Sequence, residues 1–254
     1  MMTPAGVQNL IARDLTALGL RPGGVALVHS SLSSLGQVAG GAESVVGALL
    51  QALGSDGTLL MPALSYQHVH AGQRVFDVRR TPSCIGAIAE HFRLRQGTRR
   101  SMHPTHSVCG AGAQAAALLA DHHLDRTPVG ERSPFRWLRD SAGQVLFLGC
   151  GMRPNTSMHG VEEVVEPPYL FSRTTPFTLI DAGGGKSEML CRCHGFAGWA
   201  QRYERLEALL RPDELRVGAV LEATAHLVEA EAMWRRGEEA LRGDPLFFVE
   251  RRRG

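Results

Sequence analysis

A histidine and two glutamates lie close together in the segment Asn155–Glu163, which reads NTSMHGVEE. On a helix, Glu162 and Glu163 lie three and four residues after His159 and so share a face with it. A carboxylate there can hold one imidazole nitrogen while the other faces a reactant, as a general base requires. A surface ion pair has the same spacing. The segment follows a predicted strand, Val145–Leu148, however, and sites in α/β proteins collect where strands end.

Two further segments are rich in polar residues. His29–Gly36 (HSSLSSLG) leaves a predicted strand, and its amides and hydroxyls could receive an anionic or amide-rich cofactor. Arg99–Val108 (RRSMHPTHSV) combines two arginines, two histidines and three hydroxyl residues, which could bind a phosphate tail and order a polar substrate. A helix-capping connection and an exposed charged loop, respectively, remain alternative interpretations.

The elements that must position these segments alternate between strands and helices. Short apolar runs predict core strands, and apolar residues at intervals of three and four predict amphipathic helices. Predicted strands are 24–28, 58–61, 145–148 and a hairpin of 177–181 with 187–190; predicted helices are 7–18, 42–53, 155–166, 198–210 and 219–241. This pattern predicts a three-layer α/β/α fold around a central mixed, mostly buried sheet. We expect a single domain over 1–254, with a smaller C-terminal helical part from about residue 195.

Composition excludes several classes of protein. The 27 Lys and Arg balance 25 Asp and Glu, so the net charge of +2 predicts no nucleic-acid surface. Five scattered cysteines form no disulfide framework and indicate a reducing compartment. The uncharged stretch 22–42 is too rich in Gly and Ser to span a membrane, and the N-terminus does not resemble a signal peptide. We expect a cytoplasmic protein without a membrane partner, as a monomer or a homodimer.

No metal site is predicted. Cys191–His194 (CRCH) lacks the paired ligand spacing of structural zinc sites. The pairs His68 with His70 and His122 with His123 are better explained as loop and helix-end residues.

Four segments together resemble one family. LVHSSLSSLGQVAGG, GTLLMPALSY, RRSMHPTHSVCGAG and NTSMHGVEE are similar to motifs of the aminoglycoside 3-N-acetyltransferases, whose fold differs from that of the commoner acetyltransferases. The resemblance covers about Gly23 to Phe171, and the chain from Ser172 onward matches less clearly. It implies transfer of acetyl from acetyl-CoA to the 3-amino group of the 2-deoxystreptamine ring of aminoglycosides, which confers antibiotic resistance.

The resemblance also implies roles for individual residues. The acetyl-CoA site would be lined by His29, Ser30, Ser31 and Leu32, and the pantetheine and phosphates would be held by Arg100, Ser101, Thr105 and Ser107. His159 would be the base and Glu162 its orienting carboxylate, with His29 as the competing catalytic residue, a donor to the developing oxyanion. Tyr66 and Asp77 would face the antibiotic. Because aminoglycosides are polycationic, Glu162 and Glu163 are also candidate substrate-binding residues.

Three other functions stay open at this point. A CoA-dependent enzyme of this kind could acetylate another small amine, because sites vary on a persistent scaffold. A Ser/His hydrolase could use Ser30 or Ser107 as its nucleophile, although no G-x-S-x-G elbow is present. A non-catalytic module could bind CoA or a sugar without turnover.

Overall fold

The computed structural model describes residues 2–252, and this part of the chain contains seven α-helices and twelve strands. The helices are α1 (Pro4–Leu18), α2 (Gly41–Leu53), α3 (Ala87–Leu94), α4 (Ala115–Leu119), α5 (Pro134–Asp140), α6 (Met158–Val165) and α7 (Ala230–Gly243). The strands are β1 (Val25–Ser30), β2 (Thr58–Pro62), β3 (Val75–Asp77), β4 (Arg99–Arg100), β5 (Val108–Gly112), β6 (Gln144–Leu148), β7 (Phe171–Ile180), β8 (Lys186–His194), β9 (Trp199–Gln201), β10 (Leu215–Val220), β11 (Ala223–Glu229) and β12 (Val249–Arg251). None of these helices is long and apolar enough to cross a membrane.

Seven strands form the central sheet, in the order β10-β11-β6-β1-β2-β5-β4. β1 is parallel to both of its neighbours, β6 and β2, whereas the outer strands pair antiparallel. His29 on β1 is in register with Phe147 on β6, so the two strands end at the same edge of the sheet. The carboxyl ends of parallel strands are where open α/β sheets bind ligands.

Both faces of the sheet are covered by helices. Ala26 and Val28 pack into a core that includes residues of α1, α2 and α3. Val25 and Leu27, which alternate with them on β1, pack into a second core with residues of α4 to α7. Successive strand side chains point to opposite faces, so this division confirms the predicted three-layer α/β/α fold with a mixed, buried sheet.

The expectation of a smaller helical part from about residue 195 is wrong. Residues 215–220 and 223–229, within or beside the helix predicted over 219–241, form β10 and β11, and β11 pairs with β6 in the central sheet. Only α7, from Ala230, is helical in the predicted range. Ala225 and Leu227 pack into one core and Val228 into the other. Pairing with β6 therefore overrides the helix propensity of this Ala- and Leu-rich segment.

The helix predicted over 198–210 is also wrong. It is replaced by β9, which pairs with β12, and a short 3₁₀ helix, Tyr203–Leu209.

A separate three-stranded sheet, in the order β3-β7-β8, confirms the predicted hairpin and extends it. β7 and β8 are ten and nine residues long. Because β8 continues to His194, it carries that histidine to the helix that follows β6. Asp77 lies at the end of β3, in register with Ile180.

The close packing of α6 against α7 gives a test of the fold next to His159. A Cβ atom on Gly160 would overlap the Trp234 ring and lie 2.7 Å from Val129 Cγ1. We expect Gly160→Ala to lower the free energy of unfolding by about 1–3 kcal/mol, as overpacking does. Urea unfolding measures the change. Gly243→Ala, at the end of α7 with no atom within 4 Å of the added Cβ, is the matched control. Equal unfolding midpoints for the two variants would contradict this packing.

Candidate functional site

A cavity of about 430 Å³ lies where β1 and β6 end. Its walls come from α6, the loop before α6, the β4–β5 loop, the end of β8 and the 3₁₀ helix after β9. The lining side chains include Tyr66, His106, Arg153, Thr156, His159, His194, Phe196, Tyr203 and Arg252. Together with the stretches that hold Leu64 and Tyr66, Ile85 and Arg252, seven separated stretches of the described chain meet at one opening.

His159 and Glu162 are both buried in this wall, and Glu162 is fully inaccessible. His159 Nδ1 is 3.2 Å from Glu162 Oε2 and 3.0 Å from the Tyr203 hydroxyl, which itself donates to the same carboxylate oxygen at 2.8 Å. Tyr169 donates to Glu162 Oε1 at 2.9 Å. Two oxygen acceptors at Nδ1 place the imidazole proton there, which leaves the lone pair on Nε2.

The two tyrosines act as fixed donors. Burial, together with the neighbouring Glu162 charge, raises the pKa of Tyr203 well above its ordinary value, and the same causes raise the pKa of Tyr169. Both phenols therefore keep their protons at physiological pH. The Glu162 carboxylate is hydrogen-bonded on both oxygens, as a buried charge requires.

Two more histidines, His106 and His194, lie next to His159. The ring centroids of His106 and His194 lie 5.3 and 5.0 Å from that of His159 and 5.2 Å from each other. His106 Nδ1 is 2.8 Å from Thr105 Oγ1, and His194 Nε2 is 2.7 Å from Glu163 Oε1. Burial, followed by the charges of neighbouring histidines, lowers the pKa values of His106 and His194 well below the ordinary value. Both rings are thus neutral at physiological pH.

Glu163 lies on the far side of the three histidines, and its carboxylate makes structural hydrogen bonds. Its Oε1 also accepts a hydrogen bond from the Val129 amide at 2.8 Å, and burial raises its pKa to about 7. Glu162 and Glu163 are consequently held behind histidines. Neither offers a free carboxylate to the cavity, contrary to their expected substrate-binding role.

His29 lies one layer behind the cavity. Its ring stacks on Phe147 at 5.1 Å, and its Nε2 is 3.4 Å from Thr156 Oγ1. Burial, then the charge of His159, lowers the pKa of His29 to about 3, so the ring is neutral. His29 does not line the cavity itself, whereas its partner Thr156 does.

The predicted cofactor residues fall into two groups. Ser30, Ser31 and Leu32 are partly exposed at the end of β1, with the Ser31 amide bonded to Leu148 O beside the cavity edge. The second group uses its polar atoms inside the protein: Arg100 donates to Ser107 Oγ and Ala63 O, the Ser101 hydroxyl bonds His122, and Thr105 bonds His106. These groups hold the loop that carries His106, and their contact with a cofactor stays a prediction.

The two residues predicted to face the antibiotic lie in different places. Tyr66 lines the cavity, and its contact with an antibiotic stays a prediction. Asp77 is not brought there, because its Oδ1 accepts hydrogen bonds from the Arg79 and Arg80 amides at the end of β3. The charged side chains that line the cavity are Arg153 and Arg252, and among the described residues no carboxylate does so.

Several cavity residues had no role in the sequence interpretation. His106 and Thr156 belong to segments already singled out, and period-two alternation along β8 could have separated His194 from Cys191 and Cys193. The signal for Tyr203 is absent from its local sequence, because its partners are on α6.

The chain is similar in sequence to proteins of one known family. The profile described as aminoglycoside 3-N-acetyltransferase matches residues 27–242. Aminoglycoside N(3)-acetyltransferase VII of Streptomyces paromomycinus is 37% identical over 175 residues, which cover 62% of this chain and 60% of that protein. Aminoglycoside N(3)-acetyltransferase IV of a Salmonella species is 31% identical over 239 residues, covering 93% and 87%.

Solved structures agree over nearly the whole chain. AAC-IIIb in its binary complex with CoASH has a TM-score of 0.81 at 27% identity, covering 95% of this chain and 97% of that one. AAC-VIa bound to sisomicin has a TM-score of 0.76 at 26% identity, covering 95% and 98%. The profile match, the sequence relatives and the shared fold all lead to one conclusion: this chain belongs to the aminoglycoside 3-N-acetyltransferase family.

Proposed function

We propose that the protein transfers an acetyl group from acetyl-CoA to the 3-amino group of the 2-deoxystreptamine ring of an aminoglycoside, and so confers resistance. The observation that carries this proposal is the buried His159–Glu162 pair, whose imidazole lines the cavity. Family membership supports the same reaction, with acetyl-CoA as the co-substrate.

In the reaction, the neutral amine attacks the thioester carbonyl, the new N–C bond forms, and the C–S bond breaks. His159 Nε2 accepts the amine proton as the bond forms and returns it to the leaving thiolate of CoA. Glu162 stabilises the imidazolium at Nδ1, 3.2 Å away. The Thr156 hydroxyl, on the cavity wall, is placed to donate to the developing oxyanion.

The acetyl-CoA side is assigned to the loop after β1. Ser30, Ser31 and Leu32 lie at the same sheet edge as the cavity, and the partly exposed serine hydroxyls suit the amide-rich pantetheine. His29 supports Thr156 from behind, so its role is positioning.

Location and assembly belong to the same proposal. All five cysteines are free thiols, which fits a reducing compartment and supports a cytoplasmic enzyme. Monomer and homodimer are the two assemblies to be distinguished by light scattering.

A second candidate function is acetylation of a less cationic amine. The charged groups lining the cavity are Arg153 and Arg252, without a carboxylate among the described residues. Two arginines repel a polycationic antibiotic, so its binding gains little electrostatic energy from this wall. An amine that also carries an anionic or neutral group would fit the wall better.

The base assignment is tested by substitution. We expect His159→Ala to lower kcat by roughly two to four orders of magnitude, the usual contribution of a general base, with little change in acetyl-CoA affinity. Glu162→Gln should lower kcat in the same direction but less, because the neutral amide stabilises the imidazolium weakly. CoA thiol release measures both. The exposed His123→Gln is the control. Full activity of His159→Ala together with loss of activity in His29→Ala would move the base to His29.

The acceptor is tested with a panel of 2-deoxystreptamine compounds, simple amines and amines that bear a carboxylate or phosphate. We expect acetylation of the 2-deoxystreptamine compounds, with kcat/KM falling as the number of positive charges on the acceptor rises, because Arg153 and Arg252 repel cations. Thiol release and product mass identify the acetylated amines. Turnover restricted to other amines would establish the second candidate, and CoA-independent turnover of phenolic esters would establish a hydrolase.

A further inference from the structure

We propose that His106, His159 and His194 form a binding site for a divalent transition-metal ion of the zinc class, with its fourth position open to the cavity. One ligand atom from each of the three side chains lies within 4.8 Å of the other two. The sequence predicts no metal here, since the three histidines come from the β4–β5 loop, α6 and β8.

In each ring, the nitrogen that points away from the centre of the three-histidine group, the outer nitrogen, already has a hydrogen-bond partner. Thr105 Oγ1 bonds His106 Nδ1, Glu162 and Tyr203 hold His159 Nδ1, and Glu163 holds His194 Nε2. The inner nitrogens, Nε2, Nε2 and Nδ1 respectively, remain for a ligand. His194 Nδ1 is buried without a hydrogen-bond partner in the described part of the chain, and an orphaned buried nitrogen calls for an explanation. A metal ion supplies one.

This outer arrangement is the one that metal-bound histidines use. A ligating imidazole commonly donates its second N–H to a carboxylate or another oxygen, which fixes the tautomer and the ring orientation. Glu162 and Glu163 do this for two of the three rings. At Zn–N distances of 2.0–2.1 Å, tetrahedral ligand nitrogens lie about 3.3 Å apart. Closing the present group on an ion therefore requires ring shifts of about 1 Å.

The donor set determines the kind of ion. Three neutral imidazoles suit zinc, copper or nickel and not magnesium or calcium, which take oxygen ligands. The nearby cysteines do not join the group, because Cys191 and Cys193 pack into the apolar cluster on the other face of β8. Three protein ligands with an open fourth position distinguish this site from a closed structural one.

Metal binding has a consequence for catalysis, and this step rests on the proposed function. The ion occupies the Nε2 lone pair of His159, the same pair that would accept the amine proton. The zinc-loaded enzyme is therefore expected to be inactive in acetyl transfer, with inhibition that follows occupancy of the site and is reversed by a chelator.

The binding test uses the metal-free full chain titrated with Zn²⁺ in competition with a chromophoric chelator. We expect one ion per chain, and we expect His106→Ala and His194→Ala each to lower zinc affinity by at least ~100-fold. Loss of a residue that only hydrogen-bonds a metal ligand costs about 10- to 100-fold, and loss of the ligand itself should cost at least as much. His123→Gln, an exposed histidine, is the matched control and should bind as the wild type does. Equal zinc affinity in the wild type and both alanine variants would overturn the site.

Two further measurements keep the test independent of variant folding and of acetylation. Bound Co²⁺ on the unmodified chain should give the visible spectrum of a four-coordinate nitrogen and oxygen site; a thiolate charge-transfer band that disappears in Cys193→Ser would overturn the proposal in favour of the cysteines. Zinc should also raise the melting temperature of the wild type. If the metal-free enzyme acetylates nothing, the proposed function fails while this binding result stands. Persistent acetylation at full zinc occupancy would contradict the predicted inhibition.

Discussion

The site depends on one buried carboxylate. Glu162 is fully inaccessible, and an unpaired charge in that position would cost several kcal/mol. Its partners, His159, Tyr169 and Tyr203, come from α6, from the segment before β7 and from the 3₁₀ helix after β9. The central sheet positions α6, but the carboxylate is satisfied only when the C-terminal third of the chain folds back over it. The base is therefore complete only in the folded chain.

Sequence patterns predicted the parts of this arrangement that are local. The apolar runs of β1, β2 and β6 and the spacing of His159 and Glu162 are set within a few residues, so periodicity and helix geometry are sufficient to find them. The β10–β11 pair and the contact of Tyr203 with α6 depend on pairing with distant segments. Composition favoured helix there, and the energy of completing the central sheet decided otherwise.

Neighbours in sequence can also belong to different environments. His103 and His106 lie in one short loop, yet His103 stacks on His122 at 4.7 Å whereas His106 turns toward His159. Cys193 and His194 are adjacent, yet alternation along β8 sends one into an apolar cluster and the other into the cavity wall. A motif search groups such residues by distance along the chain. The relevant distance is in space, and only the strand and loop geometry supplies it.

A proton acceptor and a metal ligand make the same demand on an imidazole: it must be neutral, and its lone pair must be fixed in direction. A carboxylate on the opposite nitrogen meets both demands. What separates the two uses is how many such lone pairs converge. One oriented histidine in a cavity is a base, whereas three within reach of one ion form a ligand set. The positions of His106 and His194 therefore bear directly on the chemistry open to His159, although neither is needed to orient it.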